Sequence, residues 1–120
     1  MKFFLKSFVH AIRGLAHTYT HEQNFKIEIF CAFIAIGFAI FFKINKTEWL
    51  VVIINIAIVL MAELLNTAIE NLCNMLHKEI HPVIKIVKDV FAGAVVITAL
   101  CAFVCGCIIF IPYILNLLNT

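Results

Sequence analysis

The sequence predicts an all-α membrane protein, with an N-terminal amphipathic surface helix followed by three transmembrane helices. The chain has 120 residues, is 64% hydrophobic and has a mean hydropathy of +1.08. A soluble domain averages roughly 45–50% apolar residues, and a chain this short cannot hide such an excess inside one water-soluble core. Long apolar runs recur along the last three-quarters of the chain, parted by short polar stretches. Lipid is therefore the expected solvent for much of the chain, and residues 1–120 read as a single domain. The formal net charge of +2 is too small to argue for a nucleic-acid partner.

Residues 1–24 read as an amphipathic helix. Phe4, Phe8, Ile12, Leu15 and Tyr19 recur at helical spacing, while Lys6, Arg13 and His17 take other positions. Such a stretch is too polar to span a membrane and suits a helix lying in its interface; the plainer reading is a soluble helix packed on a protein core. The start of the chain shows no small-residue cleavage site of the kind that ends a signal peptide. The first span covers residues 27–42, with Glu28 near its start. It is short against the roughly 20 residues a bilayer needs, which tilt or burial against partner subunits accommodates. Residues 43–48 form a polar turn, and Trp49 is placed like an interfacial anchor. The second span covers residues 49–71. Residues 73–89 then make a polar connection with His77, Lys78, Glu79, His81, Lys85, Lys88 and Asp89, in which Pro82 breaks or starts a helix. The third span, residues 90–113, has no charged residue and carries Pro112 near its end.

Three spans put the N-terminal arm and the second connection on one side of the membrane. That side holds Lys2, Lys6, Arg13, Lys26, Lys78, Lys85 and Lys88, against Lys43 and Lys46 on the other. The positive-inside rule therefore predicts a cytoplasmic N-terminus and connection and an external C-terminus. Glu63 then falls in the inner half of the second span. Glu70, Glu22, Lys88 and Asp89 fall near the cytoplasmic surface.

The second span contains the functional signal. It begins apolar and then carries Glu63, Asn66 and Glu70, with Thr67 and Asn74 nearby. Steps of three and four residues put Glu63, Asn66, Glu70 and Asn74 on one helical face. A carboxylate inside a bilayer costs roughly 2.5–3.5 kcal/mol even on lenient insertion scales, so two on one stripe point to use. Neighbouring carboxylates at a water boundary can hold Mg²⁺ through oxygen ligands. Lysines beside them can bind phosphate, and a carboxylate sheltered from bulk water can act as a base toward an alcohol. Metal clamp, cation and base are the parts of a phosphoryl-transfer site. No GxxxxGK[ST] loop accompanies them, and Gly14, Gly37, Gly93 and Gly106 make no glycine-rich loop. Any nucleotide must be held by side chains.

Other candidates have plainer readings. Cys31, Cys73, Cys101, Cys105 and Cys107 lie mostly in apolar segments; Cys101 and Cys105 share a helix face, where a metal or a disulfide is conceivable, but small buried packing residues are the favoured reading. His77 and His81, like His17 and His21, have i, i+4 spacing, and are favoured as solvated residues over zinc ligands. Lys78 and Lys85 are topology signals or headgroup contacts. Ala92-Gly93-Ala94 suits close helix packing.

Residues 62–74, AELLNTAIENLCN, resemble the signature of the small bacterial integral-membrane lipid kinases, the diacylglycerol kinase and undecaprenol kinase family. Its pattern of Glu, two residues, Asn, Ser/Thr, small, aliphatic and Glu is met by Glu63, Asn66, Thr67, Ala68, Ile69 and Glu70. A later Asp of the pattern is replaced by Asn74. SFVHAIRGLAHTYTHEQNFKIE resembles the family's N-terminal arm, with Gly14, Glu22 and Asn24 at its recurring positions. HPVIKIVKDVFAGAVV resembles the entry into the last span, with Lys88 and Asp89. The three blocks occur in the family's order and cover nearly the whole chain.

The resemblance implies a bacterial inner-membrane homotrimer that uses ATP and Mg²⁺ to phosphorylate a lipid hydroxyl at the cytoplasmic face, with sites shared between neighbouring subunits. By position, Glu63 would be the base, and Glu22 and Glu70 would ligate Mg²⁺. Lys88 would contact the ATP phosphates, with Asp89 and Asn66 completing the nucleotide and catalytic site; Glu28 aligns with a polar position of the arm. The form of the third block looks more like the undecaprenol kinase branch than the proteobacterial diacylglycerol kinase branch. Two other function classes compete on the residues alone. One is a small proton-coupled transporter using an intramembrane Glu, which would place its acid near mid-membrane. The other is a non-enzymatic assembly subunit, which leaves the convergence of acids and lysines unexplained.

Overall fold

The computed structural model describes residues 1–76 and 81–120. Four helices follow one another: α1 (Lys2–His21), α2 (Gln23–Phe42), α3 (Lys46–Leu76) and α4 (Pro82–Leu118). The last three are each long and apolar enough to cross a membrane, which agrees with the all-α bundle expected. Each overruns its expected span. The first span, read at 27–42, lies in a helix that begins at Gln23. The second, read at 49–71, lies in one running from Lys46 to Leu76, and the third, read at 90–113, in one running from Pro82 to Leu118. Hydropathy marks the residues suited to lipid, whereas the hydrogen-bonded backbone continues into polar turns at both ends. The surface helix read at 1–24 instead stops at His21. The polar connection read at 73–89 shrinks accordingly, so that Lys85, Lys88 and Asp89 lie on α4. His77, Lys78 and Glu79 lie outside the described residues.

Glu22 alone separates α1 from α2. Its extended backbone (φ −113°, ψ 113°) breaks the helix, while its N–H still donates to the Thr18 carbonyl at 2.8 Å. The end of α2 is a Schellman turn: the Ile44 N–H reaches back to the Ala39 carbonyl at 3.3 Å, and the Lys43 N–H to Ile40 at 3.3 Å. Lys43 takes the left-handed position (φ 52°) that glycine normally fills, at a cost of roughly 1–2 kcal/mol. The hydrophobic contact that accompanies such turns offsets this, because Ala39 and Ile44 are both buried in one cluster.

A reciprocal cap starts α3. Asn45 Oδ1 accepts from the Glu48 N–H at 2.9 Å, and Glu48 Oε1 accepts from the Asn45 N–H at 3.1 Å. The same Glu48 oxygen accepts from the Tyr113 hydroxyl at 2.5 Å, tying the α3 start to the far end of α4. At the other end of α4, His81 is the N-cap, its ring Nδ1 accepting from the Val83 N–H at 3.2 Å, and Pro82 fills the first helical turn. α4 continues through Pro112, whose missing N–H a membrane helix tolerates when its neighbours compensate.

α4 packs chiefly on α3, and α2 also leans mainly on α3. The tightest packing, Ala39, Ile44, Val52 and Ile109, lies at the Glu48–Tyr113 end, with Phe42, Trp49, Phe110 and Tyr113 around it. Trp49, expected as an interfacial anchor, is thus half-buried against protein. Phe42 stacks on Tyr113 with ring centroids 5.7 Å apart. Elsewhere large apolar side chains such as Phe30, Phe33, Ile97, Phe103 and Ile108 face outward, as lipid or another copy of the chain allows. On α1, Phe4, Phe8 and Ile12 are exposed as a membrane-facing stripe would be. The five cysteines are free thiols.

Ile109→Ala is expected to destabilise the protein by about 2 kcal/mol, the low end of the range for buried Ile→Ala changes, because in lipid the packing loss remains while the transfer gain from water is small. Reversible unfolding in mixed micelles reads this.

Candidate functional site

The site is built on the inward face of α3. Glu63 is 1% exposed and Thr67, one turn on, is 4% exposed, so this face is covered although it is polar. The cover comes from the α1–α2 corner, where Thr18 and Phe25 are themselves buried. Thr18 can be buried because its hydroxyl donates to the Gly14 carbonyl at 2.9 Å. Glu22 stands at the break between the two helices and faces Glu63 closely enough to act on it electrostatically, as does Glu70 from two turns along α3. Glu28, on the second turn of α2, places its carboxyl within hydrogen-bonding reach of Glu63.

Four acids thus meet at one end of the bundle. Polar atoms of two of them and of the neighbouring Thr67 are left unsatisfied within the protomer: Glu63 Oε2, Glu28 Oε2 and Thr67 Oγ1 are buried without a hydrogen-bond partner. Buried polar groups are almost always bonded, and a buried carboxylate without a counter-charge is strongly unfavourable. Three such atoms in one place mark a site that is completed by something else.

Lys88 reaches the same end from α4. Its ammonium donates to Asn74 Oδ1 at 2.6 Å, bridging α4 and the last turn of α3. Asp89 is directed elsewhere, pairing with Lys85 at 3.0 Å on the exposed face of α4. Asn66 is half-buried beside Glu63 on α3. The structure therefore gathers Glu22, Glu63 and Glu70, adds Lys88 through Asn74, and leaves Asp89 on the rim. Two partnerships were not anticipated from sequence. Glu28 was visible as an acid inside an apolar helix, a functional signal in its own right, but its facing of Glu63 depends on the register of α2 against α3. The Lys88–Asn74 bond joins residues on two helices.

The donor set can be tested against Mg²⁺. Among the described residues no group of three or more metal-ligating side chains is preassembled. Mg²⁺ commonly takes one or two carboxylates and completes its octahedron with phosphate oxygens and water. Glu22 and Glu70, flanking Glu63, fit that pattern, so a metal arriving with a nucleotide is compatible with the site.

Fold and site together define a multi-pass membrane protein with a carboxylate-lined centre at one end of its bundle. The chain belongs to the prokaryotic diacylglycerol kinase family, whose model it matches over residues 9–110; it is a membrane lipid kinase. It is 39% identical to the undecaprenol kinase of Bacillus subtilis over 111 residues, covering 91% of this chain and 89% of that one. It is 30% identical to a diacylglycerol kinase of Synechocystis over 115 residues, covering 95% of this chain and 66% of the relative. To a diacylglycerol kinase of Haemophilus influenzae it is 32% identical over 97 residues, 81% of each chain.

The crowding of acids predicts a trade-off. Glu63→Gln removes one like charge and adds amide donors beside the unpartnered Glu28 oxygen, and is expected to stabilise the protein by about 1 kcal/mol. Thermal unfolding in detergent should show a higher midpoint than wild type.

Proposed function

We propose that the protein transfers the γ-phosphoryl group of ATP to the hydroxyl of a membrane lipid at the cytoplasmic face of the bacterial inner membrane, with undecaprenol the preferred acceptor and diacylglycerol the second. The observation that carries this is the fully buried Glu63 carboxyl with an unpartnered oxygen, placed among Glu22, Glu28 and Glu70. A base for an alcohol needs an accepting oxygen free and sheltered from water, and Glu63 Oε2 is both.

Glu63 takes the proton of the lipid hydroxyl as its oxygen bonds to the γ-phosphorus. The bond from that phosphorus to the β–γ bridging oxygen breaks, and ADP leaves with the electron pair. Glu22 and Glu70 hold the metal side of the nucleotide. Mg²⁺, when bound there, offsets the charge on the phosphates during transfer. Lys88 binds the polyphosphate as a cation from α4. Asn66, beside Glu63, orients the reacting groups, and Asp89 closes the nucleotide site at the rim. Glu28 keeps the Glu63 carboxyl turned inward. The work is positioning and charge compensation, in keeping with how phosphoryl transfer is catalysed generally.

An apolar cleft supports this reading as a site for the acceptor's tail. A cleft of about 330 Å³ opens between α2, α3 and α4, with Glu28 at one end and Ile109 and Phe110 toward the other. Its wall along α3 runs from Val51 to Leu60, about 13 Å at 1.5 Å per residue. Asn55 lines it, but its amide donates to the Val51 carbonyl at 2.9 Å, which leaves the wall essentially apolar. The undecaprenol preference is supported by the higher identity to the relative named for that activity, 39% against 30% and 32%. We further propose a homotrimer, in which outward-facing apolar surface is shared and the unpartnered polar atoms meet groups from a neighbour.

Purified protein in mixed micelles with labelled ATP and Mg²⁺ is expected to label undecaprenol in preference to diacylglycerol. Glu63→Gln should lower kcat by roughly 10²–10⁴-fold, the usual contribution of a positioned base, with the oligomer intact by cross-linking. A wild-type rate in that variant removes Glu63 from the base role, and preferential labelling of diacylglycerol reverses the acceptor assignment.

A further inference from the structure

Hydroxyl groups along this chain have a default partner. Ser7 donates to the Phe3 carbonyl, Thr18 to Gly14, Thr20 to His17, Thr98 to Val95 and Thr120 to Leu117, at 2.7–3.2 Å. Each acceptor lies three or four residues back, the bond by which a helix absorbs a serine or threonine that water does not serve. Thr47 is exposed at the start of α3. Thr67 departs from both patterns. It is 4% exposed, and its Oγ1 is buried without a hydrogen-bond partner, although the Glu63 and Leu64 carbonyls lie four and three residues back on the same helix. Among the described residues it is the one buried hydroxyl left uncommitted. Burying an unpaired hydroxyl is unfavourable, and valine would fill nearly the same space without that cost. Packing alone therefore does not account for a threonine here.

Its place is specific. Thr67 stands one turn from Glu63 and three residues before Glu70, on the covered face of α3. The acids gathered there, Glu22, Glu28, Glu63 and Glu70, accept hydrogen bonds when ionised and repel phosphate. Lys88 is tied to Asn74, three turns beyond Glu63 and about 16 Å along the helix axis. A phosphoryl group that reacts at Glu63 has to come within about 3–3.5 Å of the lipid oxygen, which puts it at the depth of Thr67 and away from the ammonium. Beside the Asn66 amide, the Thr67 O–H is the neutral donor at that depth. It can bind a phosphate oxygen without carrying a charge that would pair with Glu63.

We propose that Thr67 is a catalytic residue, its hydroxyl donating a hydrogen bond to a non-bridging oxygen of the γ-phosphoryl group as that group passes from ATP to the lipid hydroxyl. The Thr67 proton stays on Oγ1. The lipid proton goes to Glu63, and the electron pair of the broken P–O bond leaves with ADP. The bond is made to the group in flight, so it lowers the barrier and leaves ATP affinity largely alone. This rests on ATP as the phosphoryl donor in the proposed function.

The test measures kcat and KM for wild type, Thr67→Val, Thr67→Ala and Thr67→Ser in mixed micelles, with ATP and with its γ-thio analogue, in which sulfur, a weak acceptor, replaces one non-bridging oxygen. Thermal midpoints are measured alongside. Thr67→Val is expected to lower kcat with ATP roughly a hundredfold, the low end for loss of a donor to developing charge. KM for ATP and for lipid should stay within about twofold of wild type, and the midpoint at or above it. The γ-thio rate should fall far less, so that the ratio of the ATP rate to the γ-thio rate shrinks about tenfold. Thr67→Ser, which keeps the hydroxyl, should regain about tenfold or more of the lost rate. A kcat in Thr67→Val within about threefold of wild type overturns the proposal. So does equal slowing with both nucleotides beside a lowered midpoint, since that means a structural role. A loss in Thr67→Ser as deep as in Thr67→Val makes the methyl the active part and overturns it too. If Thr67→Val does not fold, the same ratios are read from Thr67→Ala. In each of these cases lipid labelling by wild type leaves the kinase reading standing, whereas a wild type that labels no lipid from ATP removes both.

Discussion

The constraint on which the structure depends is a carboxyl group, Glu63, enclosed in a bundle whose surroundings are apolar. It is shielded from water, and the charged groups that act on it, Glu22, Glu28 and Glu70, are also acids. The expense of such an arrangement explains several features that otherwise look unrelated. The chain must fold back after α1 so that the corner at Glu22 covers the inward face of α3, and a single extended residue makes that corner. Thr18 must turn its hydroxyl onto its own helix to be buried there. The second span must be longer than a bilayer needs, so that the stripe from Glu63 to Asn74 can begin inside the bundle and end where a cation from α4 can meet it.

The tightest packing lies away from the four clustered acids. At the opposite end α2 closes in a Schellman turn, α3 opens with a reciprocal cap, and Tyr113 binds the capping Glu48. Ala39, Ile44, Val52 and Ile109 pack there under a cover of aromatic rings. A bundle pinned at one end can hold a crowd of acidic groups at the other without losing its helix registers. Packing and chemistry are therefore largely divided along the helix axes, although Val52, Ile109 and Phe110 of the pinned end also line the cleft that runs up to Glu28.

The helices were legible because lipid-facing segments announce themselves by composition, and α1 by its period. Glu63, Asn66, Glu70 and Asn74 were legible because they break an apolar run at steps of three and four. Where the helices stop was less legible, since hydropathy reports solvent and not backbone hydrogen bonding; hence α4 begins at Pro82 and carries Lys88 and Asp89, which read as parts of a polar connection. What sequence could not show was pairing across helices. Glu28 against Glu63, Lys88 on Asn74 and Tyr113 on Glu48 each depend on how one helix slides and rotates against another. Asn74 illustrates this best. As a letter it reads as the loss of a charge from the family pattern; in space it is the acceptor that ties Lys88 of α4 to the last turn of α3.

The same division bears on how acceptors can be told apart. Undecaprenol and diacylglycerol each offer one hydroxyl, so in the proposed reaction the groups near Glu63 would meet the same oxygen and the same leaving group in either case. A site can discriminate strongly against a substrate that leaves its buried polar groups unpaired, but neither acceptor does so at the hydroxyl. Selectivity must then arise where the molecules differ, along the tail. With the tail in the cleft between α2, α3 and α4, as proposed, contacts would be apolar and individually weak, and discrimination would accumulate over its length. The small residues Ala32, Ala35, Ala99, Ala102 and Gly106 that line it set its width. Of these, Ala32 lies within one turn of a site acid, Glu28, while Ala99, Ala102 and Gly106 stand on α4, which carries none of the four; in the proposed reading, acceptor preference can change there while the transfer chemistry stays as it is.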